Sequence, residues 1–272
     1  MALKTMFITN NPQIAQIAEN HTVDFIFVDL ETMGKEARQP NMDTVKSQHT
    51  FDDISSIKTA LKKAQLLVRV NPLHQGSSDE INEAIARGAD VLMLPMFRTA
   101  SDAETFVSLI KGRTEVMLLA ETPEAQANIS AISQVAGVDS IHIGINDLHL
   151  AQKKKFMFEL LVDGTVAEMC QYMGQHPIRY GFGGTSRLGH GLLPAQHIIA
   201  QHYHLGSQQV ILSRDFCDLR KITTPEEIEE TFALGMGALR AYEQELATKS
   251  SDFFLNNEIQ MRQIIQSIVE SR

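Results

Sequence analysis

Two cysteines in 272 residues are too few for a disulfide framework, and Cys170 and Cys217 have no metal-ligand spacing around them. Both sit among apolar neighbours, so buried free thiols are expected. With only 8 prolines and 16 glycines against 43% apolar residues, the chain is neither disordered nor collagen-like. No run of 18 apolar residues occurs, which predicts no membrane-spanning helix. No long apolar stretch leads to a cleavage site after Met1-Ala2-Leu3-Lys4, so a cytoplasmic location is expected. Positive charge is also scarce: 24 basic residues face 33 acidic ones, a net −9. The densest basic run, Lys153-Lys154-Lys155, reads as a solvated loop rather than a phosphate track, and no nucleic-acid partner is expected.

What the chain does have is length and rhythm. About three quarters of the unfolded surface of so long a chain can be buried, so the fold needs no covalent staple. Strand-like runs rich in Val, Ile, Leu and Phe recur at 5–9, 23–30, 66–71, 91–96, 116–121, 141–145, 179–183 and 209–213. Continuous apolar runs of this kind suit strands buried on both faces. Helical periods separate many of them, at 52–64, 78–87, 101–110, 123–135 and 194–205. Gly88 and Gly206 stand as stops, Pro123 lies just inside a helix start, and Ser101-Asp102-Ala103-Glu104 reads as a capping box.

Eight strand-helix units in 272 residues give 34 residues each, close to the roughly 30 that a βαβ crossover needs. The expected architecture is an α/β fold, a (β/α)8 TIM barrel in a single domain over residues 1–272, with the barrel at about 5–248. A doubly wound open sheet is the runner-up, but Asn10-Asn11-Pro12 follows the first strand where such folds carry a glycine fingerprint. Two further helical stretches, 225–248 and 252–271, follow the eighth strand. The second carries Phe253, Phe254, Leu255, Ile259, Met261, Ile264, Ile265 and Ile268, more than a last barrel helix needs. Packing on another subunit would use that stripe, and a homo-oligomer is expected; packing on its own barrel is the alternative.

In such barrels function gathers at the carboxyl ends of the strands. There the sequence places Asp29 and Glu31, Arg69 and Asn71, Glu121, Gly144, Asn146 and Asp147, Gly181–Arg187, and Arg214. Glu121 and Asp147 follow adjacent strands, and two close carboxylates raise each other's pKa unless a cation lies between them. Hard oxygen ligands with room for water suit Mg²⁺ or Mn²⁺; capping the following helix is the alternative for each. Arg69, at the end of an apolar strand, needs an anionic partner: Asp29, Glu31 or a substrate carboxylate. Arg187 and Arg214 flank the loops after strands seven and eight, where barrels often bind phosphate, and the glycines at 181–184 admit a ligand close to the backbone. His197, His202 and His204 read as solvated helix residues. His49, His74 and His149 lie in loops on the functional face and are the acid/base candidates.

These residues resemble the family of metal-dependent pyruvate aldolases (4-hydroxy-2-oxoheptanedioate aldolase type) and citrate lyase β-subunits. The matches are Asp24-Phe25-Ile26-Phe27-Val28-Asp29-Leu30-Glu31, Val68-Arg69-Val70-Asn71, Ala89–Met96, and Glu121-Thr122 with Gly137-Val138-Asp139 and Ile143–Leu148. Order and spacing agree over about 20–150 and more loosely to 215. The resemblance implies a (β/α)8 barrel that often exchanges its final helix between subunits, with Glu121 and Asp147 as ligands of Mg²⁺ or Mn²⁺. It implies Arg69 on the carboxylate or enolate oxygen of a 2-oxo acid, with an aldehyde as the other half. Gly144, Asn146, Gly183, Arg187 and Arg214 complete the substrate-binding candidates. One departure matters: the pyruvate aldolases place a His after the acidic residue matching Glu31, and here Thr32 stands. His49, oriented by Asp43 or Asp29, is nominated as the substitute base. Ile145 also stands where the family usually has Pro. A metal-dependent carbon–carbon lyase or aldolase leads; an acyl-CoA lyase of the citrate or malyl-CoA type and a non-catalytic metal- and ligand-binding barrel are the alternatives.

Overall fold

Eight parallel strands hydrogen-bond in sequence order and the eighth returns to the first, closing the barrel. The computed structural model describes residues 2–34 and 49–272. The strands are β1 Lys4–Ile8, β2 Phe25–Asp29, β3 Gln65–Arg69, β4 Val91–Leu94, β5 Glu115–Ala120, β6 Ser140–Ile143, β7 Arg179–Thr185 and β8 Gln209–Leu212. Side chains alternate between two cores. Met6, Phe25, Phe27, Leu67, Val91, Met93, Met117 and Leu119 fill the barrel. Their neighbours Ile26, Val28, Leu66, Leu92, Leu118 and Ile141 pack outward under the helices. The floor of the barrel is polar: Arg179 and Gln65 both bind the Glu115 carboxylate, at 2.9 and 3.0 Å. The functional end is therefore the other one.

Local chemistry sets the helix limits. Pro12–Asn20 is a helix that the apolar pattern alone does not announce; Asn11 caps it, its Oδ1 accepting from the amides of Gln13 and Ile14. The helix after β2 runs Phe51–Ala60, shorter than expected. It stops because the amides of Lys62, Lys63 and Ala64 all donate to the buried carboxylate of Glu19, which turns the chain into β3. The capping box of helix Ala100–Ile110 is Thr99 with Asp102, not Ser101 with Glu104. The earlier start sets Ala103, Phe106 and Ile110 on its buried face. The expected helix 123–135 is two, Pro123–Ala127 and Ile129–Ile132. At the break, the Asn128 side chain donates to the carbonyls of Glu124 and Arg98 and competes with the helix ladder.

The last two helices, Pro225–Leu246 and Ser251–Glu270, wrap the outside. Glu243 accepts from the Leu3 amide at 2.6 Å and from Arg240 at 2.8 Å, tying the first strand to the former. The final helix packs on helix Ala195–His204 of its own chain. His197 Nδ1 donates to Asn257 Oδ1 at 2.7 Å, Phe254 stacks on His204, and Met261 and Ile265 are buried. Leu255 and Ile259 remain exposed. The expectation of solvated helix histidines holds for His204 and fails for His202, which is fully buried, stacked 3.8 Å from Phe182 and bonded to Ser207. Cys170 and Cys217 are buried free thiols, as expected. Among the described residues no helix is long and apolar enough to cross a membrane.

Burial opposes ionisation of Glu19, but the three amides outweigh it and hold its pKa below the ordinary 4.5. A carboxylate depressed in the folded state stabilises fully above its unfolded value, and that stability is lost as pH falls through the folded one. Glu19→Gln is therefore expected to cost about 2–3 kcal/mol in urea unfolding at pH 7, with the gap to wild type closing as pH drops below about 4.

Candidate active site

At the carboxyl end of the barrel, β2 and β3 are paired with Asp29 opposite Arg69. The guanidinium is held twice, Nε to Asp29 Oδ1 at 2.8 Å and Nη2 to Oδ2 at 2.9 Å. Glu31 Oε2 lies 3.3 Å from Nε. Asp29, Glu31 and Glu121 are only 1%, 2% and 3% exposed, so no water shell screens their charge. Burial disfavours the Arg69 cation, but Asp29, Glu31 and Glu121 together override it and raise its pKa. Three buried carboxylates thus act on one half-buried guanidinium. The partner required of Arg69 is Asp29, seconded by Glu31.

Glu121 is freed from capping. Thr122 caps the next helix, accepting from the Ala125 amide at 3.0 Å and donating to the Phe97 carbonyl at 2.9 Å. Glu121 instead accepts from the amide of Met96, a residue turned into the left-handed region at φ 55°. Across β6, a Cβ on Gly144 would stand 2.7 Å from Glu121 Cβ and 2.8 Å from its Oε2. The bare glycine makes room for that carboxylate. Asp147 lies half-buried in the first turn of helix Ile145–Ala151, where the dipole favours negative charge, and Asn146 precedes it. Gly183, at φ 53°, has Ile145 Cδ1 2.6 Å from where its Cβ would be, so only glycine fits between β7 and that helix.

Other candidates separate. Arg187 lays its stem against Gly235 of helix Pro225–Leu246 and its charge near Cys217, whose thiol burial pushes up to about 11. Arg214 is half-buried just past β8. Thr32 is tied sideways, its amide and hydroxyl both directed to Asn71 Oδ1. His74 closes its own loop, accepting from the Gly76 amide and pairing with Glu80. His49 does sit beside Asp29, but its Nδ1 accepts the Asp29 backbone amide at 3.0 Å. Asp43 lies outside the described residues. His149 donates from Nδ1 to the carbonyls of Asn146 and Ile145, and burial lowers its pKa.

One residue escaped sequence reasoning. His142 is buried in β6, two residues before the Gly144–Glu121 contact, and its Nε2 donates to the Gly183 carbonyl at 2.9 Å. Burial brings its pKa down to about 4. A polar residue inside an apolar strand was the available signal.

Residues 4–156 match the model of the HpcH/HpaI aldolase/citrate lyase family. The chain belongs to that family. Among solved structures it resembles a HpcH/HpaI aldolase/citrate lyase family protein from Burkholderia cenocepacia J2315, with TM-score 0.65 and 16% identity over 82% of this chain and 92% of the other. An HpcH/HpaI aldolase from Desulfitobacterium hafniense DCB-2 follows at 0.60 and 17%, over 82% and 90%. The citrate synthase SbnG gives 0.62 and 17%, over 81% and 89%. At these identities the structures show the shared barrel. No match is found among curated proteins. Membership makes the protein an enzyme of the lyase or aldolase type, in a family that is generally dependent on a divalent metal.

The residues of this HpcH/HpaI member fit such an ion. By lacking a Cβ, Gly144 leaves the Glu121 carboxylate the space it occupies, and carboxylate oxygens are the donors that a hard divalent cation takes. Among the described residues no group of three or more His, Cys, Asp or Glu forms a metal site. A set of two carboxylates agrees with Mg²⁺ or Mn²⁺, which retain water and substrate oxygens. Gly144→Ala should push the Glu121 carboxylate aside, and calorimetric titration with Mn²⁺ is expected to show affinity reduced about tenfold or more.

Proposed function

We propose that the enzyme is a divalent-metal-dependent carbon–carbon lyase that cleaves, and in reverse forms, the bond next to the 2-oxo group of a 2-oxo acid such as a pyruvate aldol. The observation that carries this reading is one half-buried guanidinium held among three buried carboxylates at the barrel mouth. Glu121 and Asp147 would hold Mg²⁺ or Mn²⁺; when bound, the ion withdraws electron density from the 2-oxo group. Arg69 would contact the substrate carboxylate or the enolate oxygen as charge develops. Its bidentate anchoring by Asp29 fixes its direction before substrate arrives, so little reorganisation is needed. Gly144, Gly183 and Asn146 would line the close approach of the oxo acid to backbone.

The proton chemistry divides differently from the family pattern. Thr32 is bound to Asn71 and has no basic function near neutral pH. His49 accepts at Nδ1, so its neutral ring carries the proton on Nε2. In that tautomer Nε2 can donate a hydrogen bond to a developing oxygen but has no lone pair with which to remove a proton. The acyl-CoA alternative has less behind it: the Arg187 stem packs against Gly235 of helix Pro225–Leu246. The exposed Leu255 and Ile259 on the final helix support self-association.

Exchange of the pyruvate methyl protons with solvent deuterium, followed by NMR with Mg²⁺ or Mn²⁺, tests the reading. Exchange is expected to need the metal, to fall about 10²–10³-fold in Arg69→Lys, and to vanish in Glu121→Gln. No exchange with any divalent ion would sink it.

A further inference from the structure

A second feature of the mouth bears on the other half of the substrate. Beside the candidate site, between the loops that follow β6, β7 and β8, lies a cavity of about 360 Å³. Its wall is apolar: Phe156, Met157, Phe158, Leu192 and Leu193. Phe156 and Phe158 meet edge to face at 5.3 Å, and the Arg272 guanidinium covers Phe156 at 5.0 Å while donating to the Lys155 carbonyl. Leu192 is 66% exposed at the rim, an apolar side chain with no folding reason to face water.

The floor is polar and continuous with the candidate site. Asn146 directly precedes Asp147, and Gly184 directly follows Gly183. Ser213 lies at the end of β8, and Gly184 pairs with Ile211 two residues earlier. His149 commits its Nδ1 proton to the helix carbonyls, which leaves Nε2 as an acceptor on a residue that lines the cavity. Polar groups therefore lie beside the reacting end and apolar ones away from it.

Charge narrows the choice further. Among the described residues the rim carries one carboxylate, Asp215, and one guanidinium, Arg272. They leave no surplus positive charge for an anionic tail. For size, an apolar cavity of about 150 Å³ already accommodates benzene.

We propose that this cavity receives the aldehyde half of the aldol and selects aldehydes with an uncharged alkyl or aryl body. The carbonyl, or the hydroxyl it becomes, would lie at the floor formed by Asn146, His149 and Ser213. The chain or ring would lie against Phe156, Phe158, Met157 and Leu192. This rests on the reading of the site as a 2-oxo acid lyase, and it adds the class of the second substrate.

Aldol addition of pyruvate to propanal, butanal, pentanal, hexanal, phenylacetaldehyde and succinic semialdehyde tests it. The expected kcat/KM rises about fourfold per added methylene, and the carboxylated aldehyde is the poorest of its length. Leu192→Asp, at an exposed position that tolerates polarity, should cut the preference for hexanal over propanal about tenfold. Turnover that is flat along the series, or that favours succinic semialdehyde, overturns the cavity assignment and leaves pyruvate exchange untouched. Should the protein fail to exchange pyruvate protons, the oxo-acid reading falls and binding alone decides the cavity. Saturation-transfer NMR with 2-phenylethanol, an unreactive analogue, should then show saturable binding that Leu192→Asp weakens; absence of saturable binding overturns the proposal.

Discussion

A guanidinium inside a barrel has to be neutralised where it stands, and the ion pair between Arg69 and Asp29 is the constraint on which the mouth of this barrel depends. Breaking either partner would strand a charge in a nearly water-free space, a far larger loss than that of a surface pair. Glu31 and Glu121 join Asp29 in holding the Arg69 cation against the cost of burial, so one guanidinium serves three buried carboxylates. The opposite end is closed by Arg179 and Gln65 on the Glu115 carboxylate, so the two ends of one barrel gather different groups.

The barrel itself was legible in the sequence because its strands are buried on both faces. Val28, Val68, Leu92 and Ile141 are apolar outward, while Phe27, Leu67, Met93 and Leu119 are apolar inward. Such strands read as unbroken apolar runs, each within a few residues of its observed limits. The polar residue that ends each run is where the lining passes from packing to chemistry. For that reason Asp29, Arg69 and Glu121 were found from the strands, and the resemblance then gave them roles.

What escaped was decided by contacts distant in sequence or by competing local signals. Thr99 and Ser101 both begin a plausible capping box; burial of Phe106 chooses between them. The end of helix Phe51–Ala60 is set by Glu19, over 40 residues away. His202 looks like an exposed helix residue until Phe182 of β7 is placed against it. His49 is near Asp29 as expected, yet proximity did not reveal that the atom facing Asp29 accepts its amide. Spacing can bring residues together; it does not orient a ring.

The glycine-rich side of the mouth shows how that orientation is enforced. Gly144 leaves space for the Glu121 carboxylate, and Gly183 leaves space for Ile145, so helix Ile145–Ala151 can sit close enough to bring Asp147 over the barrel. His142 holds the Gly183 carbonyl from inside, and its deep burial keeps the imidazole neutral down to about pH 4. A protonated ring opposite Leu119, two residues below Glu121, would bring a positive charge toward the carboxylates, and neutrality at His142 avoids it. A buried histidine that only hydrogen-bonds can support the strand beside the site without altering the field that the carboxylates create.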